Sequence, residues 1–345
     1  MTRPTSQSTS VPSATDRSAA ARLAARLARV AVALVLTWLA FDLSGLDLGA
    51  LAGHVRGASV PWLLAAVTLV FLDRAVMAWR WIQLLRASGS GADPRLGAVM
   101  RVFFISSFAG TFMPGAGDAA RAIGVARLDV RGGDAVGSVV VDRLLGMLSM
   151  LALGLAGLLA AGPLVERRVL LLAVVVAIAA AAASILLLFD SRVLGGLVRL
   201  AGRGRVPRVE RLAGKALAGI RQYGRHRRVL VVVFAASLAV QAIRTLQAWC
   251  LGLAIGMSVA GIWYVAFVPL ITLVMQVPIS VSGIGTSQVG FQYLFSSVGG
   301  DAALAVVLSV LYLALGWVGI LPGGLLIMTG PSRRPPAPPP GPSRS

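Results

Sequence analysis

The sequence predicts an all-α integral membrane protein of about six transmembrane helices plus two re-entrant elements broken by proline and glycine, arranged as an inverted repeat. Three observations carry that expectation: the length of the uncharged apolar runs, the placement of the basic residues, and a short pattern that recurs in both halves.

Crossing ~30 Å of hydrocarbon takes about 20 helical residues. Leu144–Val165 and Val169–Phe189 contain no charged residue, and neither does the whole stretch Thr245–Gly300. Of 345 residues, 57% are apolar and 13% charged, with a mean hydropathy of +0.84. A soluble domain carries about 25% charged residues, so this composition excludes one. Six segments are long enough to cross, at about 28–46, 60–86, 136–161, 168–189, 229–254 and 302–328. Two further apolar stretches, about 97–113 and 261–298, are interrupted by Pro and Gly. Residues 1–27 read as a disordered tail whose Arg22 and Arg26, with Arg29, precede the apolar run Val30–Phe41. No small-residue cleavage site follows, so this run reads as an uncleaved first helix and not as a signal peptide. Residues 331–345, with Pro335, Pro336 and Pro338–Pro340, read as a second disordered tail.

The net charge of +19 would suggest nucleic acid in a soluble protein. Here the arginines gather at the ends of apolar segments, which makes anionic lipid headgroups the expected partner and excludes nucleic acid. The segment 190–228 holds eleven basic residues against Asp190 and Glu210, so it reads as a cytoplasmic loop. A full crossing at 97–113 would force that loop outside; an element that re-enters and returns leaves it inside. The same reasoning at 261–298 places Arg333, Arg334 and Arg344 inside. A multi-pass protein of the cytoplasmic membrane, with both termini cytoplasmic, satisfies the charge rule. Within the loop, Val209, Leu212, Ala213, Ala216, Ile220 and Tyr223 recur at helical spacing. They fit a basic helix lying on headgroups or a solvated linker, and both readings stand.

Each half, 28–161 and 168–328, then reads crossing, crossing, broken element, crossing. Three crossings per half is odd, so the halves oppose each other in orientation. Gly132-Gly133-Asp134-Ala135 recurs as Gly299-Gly300-Asp301-Ala302, and each copy follows a break: Pro114-Gly115-Ala116-Gly117 in one half, Pro278 with Gly283 and Gly285 in the other. Paired interrupted segments in inverted halves point to a transport site near the bilayer midplane. Two readings of the breaks remain: they line one polar cavity that binds a headgroup, or they are ordinary turns between helices.

The lone Cys250 excludes a disulfide framework, and His54 and His226 lie in different loops, so no metal, no cofactor and no histidine-based catalysis are expected. No phosphate-binding Gly-x-x-x-x-Gly-Lys-Ser/Thr loop occurs; energy would come from an ion gradient, the membrane potential or the lipid gradient. Ionisable residues inside a membrane are costly and usually face a partner or a cavity. The candidates are Asp73, Arg74, Arg80, Asp118, Arg121, Asp142, Arg143 and Arg244. Asp118 and Arg121 are three apart and share one face of any helix that starts after Gly117, where Asp118 is placed to act as N-cap. A guanidinium suits phosphate because its planar fork donates two parallel hydrogen bonds. Arg121, Arg143 and Arg80 are therefore candidate phosphate ligands, held in position by Asp118 and Asp142; internal Asp–Arg pairing that pins helices explains the same residues. Gln241, Arg244 and Gln247 form a polar stripe which, with Gln276, Ser280, Ser282, Thr286, Ser287, Gln288 and Gln292, lines a headgroup path or makes bonds between helices.

Three pieces carry a family resemblance: Arg80-Trp81 with Leu84-Leu85, Phe103–Arg121 followed by Ser138–Gly146 with its Asp142-Arg143, and Pro278–Phe295 around Pro278-Ile279-Ser280 and Gly283-Ile284-Gly285. Together they resemble the flippase-like transmembrane family that forms the membrane domain of lysylphosphatidylglycerol synthases, over roughly residues 28–330. On the cavity reading of the breaks, Pro114, Gly115, Gly117, Asp118 and Arg121 in the first signature, and Pro278, Gly283, Gly285 and Gln288 in the second, belong to the substrate path. Ala116-Gly117-Asp118 stands where the family commonly has Gly-Gly-Asp, and Ser287-Gln288 where it commonly has Arg-Glu. Nothing after residue 330 has the makings of the synthases' aminoacyl-transferase domain, so synthesis of aminoacylated lipid is not expected of this chain. The expected function is translocation or scrambling of a phospholipid or related isoprenoid-linked lipid, without enzymatic activity. The alternative is a non-transporting subunit that recruits a separate lipid-modifying enzyme through the 190–228 loop.

Overall fold

The computed structural model describes residues 34–35, 37–39, 42, 48–88, 93–112, 116–128, 130–161, 223–276 and 283–329. Every regular element among them is helical: α1 Leu48–Arg56, α2 Val60–Arg86, α3 Leu96–Phe112, α4 Ala116–Ala126, α5 Gly132–Ala161, α6 Arg227–Ala254, α7 Gly261–Met275, α8 Thr286–Ser296, α9 Ala302–Val318 and α10 Leu321–Met328. The expected crossings at 28–46 and 168–189, the basic loop up to residue 222, both tails, and Pro114, Gly115 and Pro278 lie outside the described residues.

Among the described residues four stretches are long and apolar enough to cross a membrane: α2, α5, α6 and the span Ala302–Met328. The last is not one continuous helix as the apolar run suggested. It breaks at Gly319-Ile320 because Pro322, at the start of α10, has no N–H to continue the α9 ladder. The first expected boundary also moves. Gly132-Gly133-Asp134 forms the opening turn of α5 instead of the connection before it. Its repeat, Gly299-Gly300-Asp301, ends just before α9, where Asp301 Oδ1 accepts a hydrogen bond from Leu304 N at 2.9 Å. Both copies thus open a long helix.

The two broken segments have the same local form. Within each, two short helices run antiparallel: α4 returns along α3, and α8 along α7. At 17, 11, 15 and 11 residues, each arm is shorter than the ~20 residues a crossing needs. The order long helix, short hairpin, long helix therefore occurs twice, as α2, α3–α4, α5 and again as α6, α7–α8, α9–α10.

The chain divides into two units. One contains residues 1–73, 144–185 and 234–315, and its core is aromatic. Phe295 meets Tyr264 edge-on at 4.8 Å and Phe267 at 5.6 Å, and stacks on Phe291 at 5.6 Å. In this unit α5 and α7 touch backbone to backbone: a Cβ on Gly157 would stand 2.5 Å from Ala266 N. The second unit contains residues 74–143, 186–233 and 316–345. Trp81, Leu84, Leu85, Val99, Phe103 and Tyr223 are buried in it. The Tyr223 hydroxyl donates to the Leu84 carbonyl at 2.9 Å. Burial, reinforced by the carboxylates of Asp134 and Asp142, pushes this phenol well above its ordinary range, so it stays a donor.

Candidate functional site

In the second unit the arginines and aspartates singled out by the sequence converge. Consecutive residues on a helix point about 100° apart, so Asp142 and Arg143 of α5 serve different partners. Asp142 takes two arginines: Arg80 Nη2 of α2 lies 2.7 Å from its Oδ1, and Arg121 Nη1 of α4 lies 3.3 Å from its Oδ2. Arg143 instead reaches Asp118 near the start of α4, with Nε at 3.1 Å and Nη2 at 2.7 Å from the same carboxylate oxygen. The expected neighbours Asp118 and Arg121 share α4 but do not pair; each is matched across to α5. Asp118 is also not the N-cap, because α4 begins two residues earlier at Ala116.

Burial grades across this cluster. The side chains of Arg80 and Asp142 are 4% and 5% exposed and that of Arg121 10%, whereas Arg143 is 50% exposed and Asp118 35%. Two buried cations therefore share one buried carboxylate. Part of their cost is met by aromatic faces: the Arg121 guanidinium carbon sits 4.8 Å from the Trp81 ring centre and 4.6 Å from that of Phe103. Trp81 Nε1 in turn donates to Ser138 Oγ of α5 at 3.2 Å. The placement of Phe103 and Ser138 around Arg121 and Trp81 depends on tertiary packing, and the Arg80-Trp81 pair was its one sequence signal.

Gly117 shows why α4 can lie so close to α3. A Cβ there would stand 2.9 Å from Ser106 O and 3.0 Å from Gly110 Cα, so only glycine permits this approach. That approach holds Asp118 and Arg121 at their distances from α5.

Of the remaining described candidates Arg74 falls in the second unit, and Arg244, Asp73, Gly283, Gly285 and Gln288 lie in the first. Arg244 Nε of α6 meets Asp73 Oδ1 of α2 at 3.2 Å, with both side chains largely buried. The second break turns through Gly283 and Gly285, whose φ values of 79° and 84° fall in the left-handed region glycine favours. Gly285 is the N-cap of α8 and has no side chain to cap with. The Gln288 carbonyl oxygen closes that end by accepting from Gly285 N at 2.6 Å and from Ser287 Oγ at 3.0 Å. Gln288 is 3% exposed and Ser287 fully buried. The neutral Ser-Gln pair thus performs, through an amide oxygen, the reach-back that a carboxylate performs in a capping box. Gln288→Ala should cost about 1–3 kcal/mol, the penalty of a buried N–H left unpaired, while Gln288→Glu keeps an acceptor. Cys250 is the sole cysteine and is buried, so a thiol-reactive dye added during a thermal ramp reads unfolding directly. Gln276 Nε2 approaches Met150 Sδ at 3.0 Å. Among the described residues no group of three or more metal-ligating side chains assembles.

The sequence profile of the lysylphosphatidylglycerol synthase TM region matches residues 26–324. The chain belongs to this family. No curated protein matches it. As a member of the lysylphosphatidylglycerol synthase TM-region family with four crossing-length apolar stretches, the chain is a multi-pass membrane protein. The first signature runs through the α3–α4 hairpin and on into α5, and the second covers Gly283, Gly285 and α8; of the Asp–Arg cluster, Asp118, Arg121, Asp142 and Arg143 lie in the first, while Arg80 stands ahead of it on α2.

Proposed function

We propose that this family member moves a phospholipid or related lipid between the leaflets of the cytoplasmic membrane, as a transporter or scramblase and not as an enzyme. The observation that carries the reading is the gathering of arginines: Arg80, Arg121 and Arg143 come together in one unit, and two of them are buried against the same carboxylate, Asp142. Taking a second arginine out of water beside that carboxylate carries a desolvation cost, and an anionic headgroup gives that cost a purpose. Arg143, half exposed, is the arginine a phosphate would meet first, with Asp118 holding its fork in position. Arg121 and Arg80 supply the field behind it. The α3–α4 and α7–α8 hairpins are the re-entrant elements in this reading, which their arm lengths support. Re-entry by both keeps the 190–228 loop and both termini cytoplasmic.

Reconstitution of the purified protein in liposomes with headgroup-labelled lipids tests the proposal. The unaltered protein should move label between leaflets in at least one lipid class; no movement across several classes would sink the idea. Arg143→Ala should abolish movement while leaving membrane yield unchanged, since an exposed pair contributes little to stability, about 0–1 kcal/mol. Equal loss of yield and movement would assign the pair to helix packing instead.

A further inference from the structure

The two carboxylates of the arginine cluster are used differently. Asp142 is buried and gives both oxygens to the protein, Oδ1 to Arg80 at 2.7 Å and Oδ2 to Arg121 at 3.3 Å. Asp118 gives only one. Arg143 Nε at 3.1 Å and Nη2 at 2.7 Å both close on Asp118 Oδ2, where a fork-to-fork pair would run two parallel bonds to two oxygens. Asp118 Oδ1 accepts no hydrogen bond among the described residues, and it is not one of the buried unpaired atoms, because the side chain is partly exposed.

An ionised carboxylate oxygen can only accept. In water such an oxygen is hydrated, so a ligand seated beside it must return a donor or lose the bond that water made. Whatever meets Oδ1 also meets Arg143, whose half-exposed guanidinium is held next to it through the shared Oδ2. Both groups stand on helices. The close approach of α4 to α3 at Gly117 fixes the carboxylate, and α5 carries the arginine. A donor fork and an open acceptor are thus presented together at a set spacing, which is the preorganisation a recognition site needs.

We propose that Asp118 Oδ1 selects the headgroup: the site takes a phospholipid whose phosphate sits on Arg143 and whose headgroup offers an N–H or O–H donor to Oδ1. Glycerol and ethanolamine headgroups carry such a donor. Choline, capped by methyl groups, carries none and leaves the oxygen stranded. Discrimination therefore follows the donor and not the charge, since ethanolamine and choline lipids have the same formal charge at neutral pH. The inference rests on the proposed headgroup site. To the attraction of the arginines it adds a filter, with Oδ2 holding Arg143 and Oδ1 testing the ligand.

The test is calorimetric binding of short-chain lipids to the purified full chain in detergent, along a methylation series. Dihexanoyl phosphatidylethanolamine, its N-methyl and N,N-dimethyl derivatives and dihexanoyl phosphatidylcholine keep one charge and lose one donor at each step. Affinity should hold through the dimethyl lipid and fall about tenfold at choline, the worth of one hydrogen bond to a charged group. Dihexanoyl phosphatidylglycerol should bind at least as well as the ethanolamine lipid. An N-tert-butyl ethanolamine lipid, as bulky as choline but still bearing N–H, should bind like the dimethyl lipid. In Asp118→Asn, Arg143 draws the one remaining oxygen to itself, so an amide donor replaces Oδ1. The step at choline should vanish there, with the dye-detected unfolding of Cys250 unmoved. A flat series in the unaltered protein overturns the proposal. So does a step that persists in Asp118→Asn, or one that appears equally with the tert-butyl lipid, since either assigns it to bulk. Headgroup-labelled liposomes separate this from the proposed transport: a step at choline without movement between leaflets removes transport alone, and movement with a flat series removes the filter alone.

Discussion

Asp142→Ala should be the most damaging single substitution in the arginine cluster, lowering stability by about 3–5 kcal/mol, the cost of stripping a buried charge of its partner. The reason is that one carboxylate serves two cations. Arg80 and Arg121 are both buried, and Asp142 pairs with each of them. Neither guanidinium can be relieved by losing its proton, since arginine remains charged in proteins. The aromatic faces of Trp81 and Phe103 offset only part of this for Arg121. Dye-detected unfolding of Cys250 should shift sharply downward, or the variant should fail to accumulate in the membrane. Asp142→Asn should do nearly as much harm, which shows that charge and not volume is at stake. Adding Arg121→Met to Asp142→Ala should recover part of the loss by removing one stranded cation. A single substitution that leaves the unfolding midpoint within about 1 kcal/mol of the unaltered protein would refute this account.

Gly157→Leu should be comparably harmful for a different reason. A Cβ at that position would lie 2.5 Å from Ala266 N and 2.7 Å from both Ala266 Cα and Val265 C. All three are backbone atoms, so no side chain can rotate aside and α5 and α7 must separate. Small residues at helix interfaces inside membranes let backbones approach in this way. Overpacking a tight contact costs about 1–3 kcal/mol and occasionally more, and a leucine here meets an unyielding partner. Gly154, one turn earlier on α5, supplies the control. Its Cβ would meet the tip of the Leu270 side chain at 3.0 Å, with the nearest backbone atom at 3.4 Å. Gly154→Ala should therefore cost far less than Gly157→Ala. If both alanine variants unfold at the same temperature, the backbone seam is not what joins these helices.

Much of this is legible in the sequence. Apolar length located α2, α5 and α6 to within a few residues, because hydrocarbon thickness leaves little freedom. The two helix breaks were legible for a local reason: Pro and Gly cluster between α3 and α4 and between α7 and α8, and both disfavour continuing a helix. The start of α5 was not, because Gly132-Gly133-Asp134 has turn chemistry yet opens a helix there. The identity of the ionic partners was only half visible. Spacing along α4 put Asp118 and Arg121 side by side, but each found its counterpart on α5, where adjacent residues fan out to different neighbours. The family match rests on the pattern as a whole, and Ser287-Gln288 shows how an uncharged pair can keep a helix end closed where a charged one is common.

The Gly157–Ala266 seam has a further consequence for motion. Packed helices slide past one another when interlocked side chains exchange rotamers. Along this seam there is nothing to exchange: peptide planes rest on peptide planes. The middle of α5 and the start of α7 are thereby committed to travel as a single rod. Any rearrangement that alternates access within that unit must find its hinge elsewhere, and Gly283 and Gly285, whose backbones already occupy the left-handed region, are the joints the fold leaves open.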